Sequence, residues 1–338
     1  MSPVGGNRGT TLGEQRRVAF EYAAQLWAAR LSSPVQIRIL ATFDPLTCGA
    51  TSTTLGVAGP VSVFRDFTGA PRPNTFYPSS LADRLAGMDL APEEDDIDAT
   101  FNSVFGTTCT FPASWYYGLD GDGPDEDSDF VTVALHELGH GFGFISFVDV
   151  DTGERFQGRD DIFLTFLVDA RSNKTLDAMT AAQRRSAIEA TGSLRWNGPA
   201  VAAAAPLVLA TALDELGRVE MYAPPFAQAG SSVSHWSDAL MPLELMEPFF
   251  EAPLHDIGLA APALVDVGWE LAPDALCPGD CDADGAVSIA ELVTSVRVAL
   301  GAAGGALCAA VDLNTDGAVS VDEVVTSVSR ALDGCGGG

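Results

Sequence analysis

Phe130-Val-Thr-Val-Ala-Leu-His136-Glu137-Leu-Gly-His140-Gly-Phe-Gly143-Phe144 is the stretch on which the reading of this chain turns. Val131, Leu135, Leu138 and Phe142 recur at helical spacing and predict a stripe buried against a core. Asp129 stands where an N-cap belongs, and Asp120-Gly-Asp-Gly-Pro-Asp-Glu-Asp-Ser-Asp129 before the helix reads as a solvated acidic loop. His136 and His140 lie four residues apart, so their imidazoles project from one face, one turn apart. Two nitrogens stacked in that way can hold one Zn2+ at ~2.0–2.1 Å. Glu137 sits about a quarter-turn round the helix, placed for a water on the metal rather than for the metal itself. The plain alternative is a helix with two incidental histidines, in a chain that has only four.

A catalytic zinc takes three protein ligands and keeps one position open. His235 and His255 are the remaining imidazoles, while Glu154 or Asp149 as third ligand would make a different type of site. His255 follows Pro253-Leu254 without ligand-like neighbours and reads as a surface or hydrogen-bonded histidine. His235 lies in Gly230-Ser-Ser-Val-Ser-His235-Trp-Ser-Asp-Ala-Leu-Met-Pro-Leu-Glu-Leu-Met246-Glu-Pro248. With the helix motif, this resembles the metzincin metallopeptidases, whose pattern is His-Glu-x-x-His-x-x-Gly-x-x-His followed by a methionine turn. Gly143 matches the helix-ending glycine, but Ser146 occupies the position of the last histidine. That departure removes the astacin and matrix-metalloprotease patterns. It points to the leishmanolysin-like branch, which has a third histidine far downstream, beyond an insertion. That branch carries Ser-His-Trp before Glu-Leu-Met, as Ser234-His235-Trp236 and Glu244-Leu245-Met246 do here. Gly258-Leu-Ala and Asp266-Val-Gly-Trp269 also look like it.

The resemblance covers about residues 129–270. It implies that His136, His140 and His235 bind one zinc ion, that Glu137 is the general base, and that Met246 floors the site, with Met241 the second candidate. It implies a secreted endopeptidase that hydrolyses protein or peptide substrates through a zinc-activated water. The implied fold is α+β: a twisted mixed sheet, the active-site helix and a C-terminal subdomain within residues 1–272, with 144–234 as an insertion. A rival of another class is a calcium-dependent binding or docking protein whose zinc site is not catalytic.

Around the helix motif the pattern is plainer. Thr11-Leu-Gly-Glu14 is a capping box before an amphipathic run to about Leu31. Residues 35–43, 61–67 and 96–101 predict strands. Within the insertion, 179–191 predicts a helix, 218–222 a strand, and 196–206 irregular chain.

Near the C-terminus a twelve-residue unit repeats after 32 positions: Asp280-Cys-Asp-Ala-Asp-Gly-Ala-Val-Ser-Ile-Ala-Glu291 and Asp312-Leu-Asn-Thr-Asp-Gly-Ala-Val-Ser-Val-Asp-Glu323. Oxygens at positions 1, 3, 5, 9 and 12, with a glycine at 6, are the pattern of a calcium loop. The side-chain ligands are Asp280, Asp282, Asp284, Ser288 and Glu291, then Asp312, Asn314, Asp316, Ser320 and Glu323; Ala286 and Ala318 offer carbonyls. Two solvated acidic turns are the plain alternative. Each loop runs into an apolar-periodic helix, and the pair resembles EF-hands and, more closely, dockerin-type repeats. The resemblance implies two Ca2+ in a small all-α module over 277–335, which serves as a staple or docks a cohesin-like partner. The boundary falls near 273.

The chain has 338 residues, with 18 Lys+Arg against 46 Asp+Glu, a net charge of −28. It lacks the basic stripe that nucleic acid requires. No run reaches the ~20 apolar residues of a spanning helix. The first residues lack a signal-peptide core, so the expectation is a secreted protein whose leader has been removed. Cys48 and Cys109 form one expected disulfide in an oxidising compartment. Cys277, Cys281, Cys308 and Cys335 allow three pairings, among which the sequence does not choose.

Overall fold

The computed structural model describes residues 2–272, 277–281, 286–302, 308–311 and 319–335. Helix α1 (Leu12–Ala28) starts at the capping box: Glu14 N donates to Thr11 Oγ1 at 3.2 Å, and Thr11 N to Glu14 Oε2 at 3.0 Å. Three strands follow, β1 (Ile39–Asp44), β2 (Gly56–Pro60) and β3 (Ile97–Asn102). They form one mixed sheet in the order β1-β3-β2. β1 runs parallel to β3, with Ile39 opposite Ile97, and β2 runs antiparallel, with Gly56 opposite Phe101. β2 holds two glycines and a proline, a composition that hides a strand and that only an edge position tolerates. The strand expected over 61–67 shrinks to Val63–Phe64, because Asp66 turns the chain at φ 55°. The strand expected from residue 35 starts only at Ile39.

Helix α3 lies on this sheet and α2 (Ser79–Ala86) beside it, α3 spanning Phe130–Phe142. Phe130 stacks on Phe43 at 5.4 Å and meets Phe101 edge-on at 4.8 Å between ring centroids. A Cβ at Gly141 would stand 2.4 Å from Ile97 Cγ2, so the helix lies closer to β3 than any side chain would permit. Trp27 of α1 donates its indole N–H to Leu135 O at 2.9 Å, tying α1 to α3.

The 144–234 segment forms its own small sheet. β4 (Leu167–Asp169) pairs antiparallel with β5 (Lys174–Thr175) and β6 (Leu194–Trp196). Helix α4 (Ala181–Ile188) begins at a Thr180–Gln183 capping box, within the span expected to be helical. Residues 196–206 are not irregular: β6 ends there and α5 (Pro199–Val208) follows. Asp266 of α6 (Ala260–Val267) accepts from Ala200 N at 2.8 Å and Val201 N at 3.2 Å. The cap of α5 thus comes from a residue remote in sequence, which a local reading does not see. Residues 218–222 make isolated bridges rather than a strand. Phe144, Phe163, Trp196 and Trp236 pack ring on ring and join this segment to the core that holds α3.

Beyond residue 277, helices α7 (Ile289–Ala299) and α8 (Val321–Asp333) each start at a Ser–Glu capping box. The six cysteines pair as Cys48–Cys109, Cys277–Cys335 and Cys281–Cys308, a usage typical of extracellular proteins. The class is α+β with small sheets. No helix among the described residues is long and apolar enough to cross a membrane. Gly141→Val is expected to cost about 1–3 kcal/mol of unfolding stability through overpacking against Ile97. Urea denaturation reads it, and an unshifted midpoint would mean that Ile97 yields freely.

Candidate metal centre

His136, His140 and His235 meet at their Nε2 atoms. His136 stands 3.1 Å from His140 and 3.1 Å from His235, and His140 stands 3.2 Å from His235. Each Nδ1 faces a backbone carbonyl: Leu245 O at 2.7 Å, Phe144 O at 2.8 Å and Ser231 O at 2.8 Å, respectively. A carbonyl only accepts, so each Nδ1 holds the ring proton and each Nε2 keeps a bare lone pair. Three lone pairs converging at this range repel one another unless a cation stands among them. A tetrahedral ion ~2.0–2.1 Å from three nitrogens sets them about 3.3 Å apart, close to the separations seen. The donor set therefore fits a metal ion. Among the described residues this is the one cluster of histidine, cysteine or carboxylate ligands tight enough to hold one. Burial pushes all three imidazoles below their ordinary value, His140 to about 3. At neutral pH they are uncharged, as ligation requires.

Local structure explains the convergence. Asp129 caps α3, its Oδ1 accepting from Thr132 N at 2.7 Å. Gly143 ends the helix at φ 121°, a left-handed conformation that suits glycine, and so turns the Phe144 carbonyl back to His140. Ser146, at the position where the short motif has its histidine, donates its N–H to Ser234 Oγ at 3.1 Å. It thereby anchors the residue next to His235. Ser146 Oγ and Phe147 N both donate to Asp161 Oδ2 at 2.9 Å, fixing the exit from the helix. The His235 stretch is held on both sides, by Tyr222 N to His235 O and by Trp236 N to Met246 O, each 2.9 Å.

Met246 is fully buried, and a Cβ on Gly139 would come within 2.6 Å of its Sδ. The thioether thus packs directly on the helix between the two histidine turns. Met241 is 60 % exposed and lies away from this contact. Asp149 accepts from Asp151 N and Thr152 N in its own turn, and Glu154 is outside the cluster. His255 bonds Asp129 Oδ1 at 2.9 Å and is a hydrogen-bonded histidine, not a ligand.

The cluster opens into a cleft of ≈ 1220 Å³, bordered by Gly56–Ala58 of β2, by α3, and by the chain before and after the methionine. Glu137 lines the same cleft. Its carboxylate lies against Gly56, where a Cβ would stand 2.8 Å from Oε1. Burial pushes Glu137 up to about 8, with the Ala58 amide pulling the other way. A cation among the imidazoles would favour the carboxylate.

The sequence motif names the side chains but not what holds them. The carbonyls of Leu245, Phe144 and Ser231 carry no signature, since any residue supplies one.

In the C-terminal repeat the described positions form cap networks. Glu291 Oε1 and Oε2 accept from Cys281 N and Ser288 N, each at 2.6 Å. Glu323 Oε2 accepts from Ser320 N at 2.7 Å. Asp280 is buried, with Arg30 Nη1 3.7 Å away, and Ala286 is exposed. Asp282, Asp284, Asp312, Asn314, Asp316 and Ala318 lie outside the described residues.

Compared with protein-family models, curated proteins and solved structures, the chain matches none. The site therefore speaks through its own geometry. His235→Ala is expected to reduce bound transition metal to background by elemental analysis, while Asp149→Ala and Glu154→Ala retain it. Retention by His235→Ala would place the third ligand elsewhere.

Proposed function

We propose that the protein is a secreted zinc-dependent endopeptidase, with a site similar to that of the leishmanolysin-like metzincins. The observation that carries this reading is the convergence of three bare Nε2 atoms at an open cleft that Glu137 also lines. Three imidazoles suit zinc, and three protein ligands leave a position for substrate, whereas a structural site closes it with a fourth. All six cysteines are in disulfides, so none supplies a fourth ligand.

A zinc ion held there supplies Lewis acidity, polarising a carbonyl and acidifying water. The protein supplies the rest. His136, His140 and His235 hold fixed tautomers through their carbonyl partners. Glu137 takes a proton from the attacking water on a carboxylate oxygen and passes it to the leaving amine nitrogen. β2 is an edge strand beside the cleft, so its outer backbone groups, other than the Ala58 amide that Glu137 engages, are placed to pair with an extended peptide. That pairing would lay a backbone alongside Glu137.

The C-terminal unit favours a second role beside catalysis. Ile289 and Val293 of α7 and Leu300, which caps it, are 82, 54 and 76 % exposed, and Val321, Val325 and Leu332 of α8 are 75, 57 and 80 % exposed. The two stripes occupy equivalent positions of the repeat. Meanwhile Glu291, Ser295, Glu323 and Ser327 are buried. Helices that turn polar residues in and apolar residues out present surface to a partner. With the dockerin resemblance, this supports a cohesin-like docking partner; the two Ca2+ in the loops rest on the resemblance.

Glu137→Ala is expected to keep its zinc and its fold while losing about 10²–10⁴-fold in turnover of a quenched peptide. Parent-like cleavage would end the assignment. Calcium removal with EGTA is expected to lower the melting temperature of the full chain, since an ion bound only by the folded state stabilises it. A melt indifferent to EGTA and to added calcium would speak against filled loops.

A further inference from the structure

The cleft carries a charge pattern that a metal centre does not need. Among the described residues, besides Glu137 it is lined by eight carboxylates and by no arginine or lysine. Asp125, Glu126 and Asp127 come from the acidic loop before α3, and Glu244, Glu247 and Glu251 flank the buried methionine. None of the eight joins an ion pair among the described residues. Elsewhere the scarce arginines do pair, Arg155 with Asp160 at 2.9 Å and Arg195 with Glu220 at 3.4 Å.

Two of these carboxylates are deep. Glu244 is 6 % and Glu247 5 % exposed. Leu259 N donates to Glu244 Oε2 and Glu244 N to Glu247 Oε1, both at 2.8 Å. The charged groups that face them share their sign: Asp256 and Glu247 beside Glu244, Glu251 and Asp238 beside Glu247. Burial first, then these neighbours, push Glu244 up to about 8 and Glu247 up to about 7. A buried carboxylate without a counter-charge is costly, and a cation that enters beside it removes that cost. Glu244 and Glu247 also bracket Leu245, whose carbonyl holds His136, and they line the same cleft as the three histidines.

We propose that this cleft selects cationic peptides, and that Glu247 receives a lysine or arginine side chain beside the bond that is cut. The statement about the cut bond rests on the endopeptidase reading; the preference for positive charge does not.

The test uses the full chain with zinc and calcium, and quenched peptides of one sequence varied at single positions among Arg, Lys, Leu and Glu, with cut sites read by mass spectrometry. The expected kcat/KM is at least about tenfold higher for Arg or Lys than for Leu at one position flanking the cut. Added salt should narrow that ratio. Glu247→Gln should collapse the ratio, and Glu251→Gln, at an exposed position, should reduce it in the same direction, with metal content and circular dichroism confirming the fold. If no peptide is cut, the Glu137→Ala protein is titrated with the same peptides by fluorescence anisotropy. Tighter binding of the basic series would then sustain the charge preference and sink the peptidase reading. Equal cleavage or binding of the Leu, Glu and Arg peptides, or a ratio unmoved by Glu247→Gln, overturns the proposal.

Discussion

Three hydrogen bonds from imidazole Nδ1 atoms to backbone carbonyls govern the architecture around the site. Each settles a tautomer, and together they aim three lone pairs at a common point. Any one of these rings, turned over, would put a proton where the other two place electron density. The fold accepts the resulting repulsion, and the desolvation of the rings, within a tightly packed interior. Such an arrangement is stable when positive charge neutralises it.

The surroundings are organised to hold those carbonyls still. Leu245 lies against α3 because Met246 is wedged at Gly139, and Phe144 is turned back because Gly143 breaks the helix. Ser231 comes from the far end of a 91-residue excursion, numbered 144–234, that must return to the helix it left. The Ser146–Ser234 hydrogen bond joins the two ends of that excursion. The aromatic packing of Phe144 with Phe163 and Trp236 then makes outgoing and returning chain part of one core. A ligand remote in sequence can therefore be as well fixed as one on the helix.

Readability from sequence followed the range of the interactions. The capping box at Thr11, the Asp129 cap and the helix of the histidine motif are local, and their residues announce them. The α+β class came through on the same grounds. β2 did not, because Gly56, Gly59 and Pro60 have poor strand propensity and the pairing with β3 overrides it. α5 did not either, since Asp266 caps it from 66 residues away, as the Ala200 bond shows. At the site, the imidazoles were readable as chemistry-bearing side chains in a rare pattern. Their carbonyl partners and the rim of β2 were not, because backbone groups have no identity in a sequence. Glu247 was readable as a charge but not as a buried one.

Polar side chains occupy helix faces that an apolar pattern would fill in α3, α7 and α8 alike. In α3 the two histidines and Glu137 occupy a face that an ordinary core helix would fill with leucine, and Gly139 and Gly141 let the neighbours close in around them. In α7 and α8 the inversion goes further. Glu291 satisfies the Cys281 and Ser288 amides, and Glu323 the Ser320 amide, so the polar side of each helix faces inward. Valines and leucines are left outside at matching positions. The spacing of apolar residues, taken by itself, would turn more of these positions inward, because it assumes that apolar contact alone decides the packing. Here a carboxylate bonded to backbone amides shares the inner side of each helix with an apolar residue, Val298 of α7 and Val324 of α8, and the remaining apolar positions form an exposed stripe.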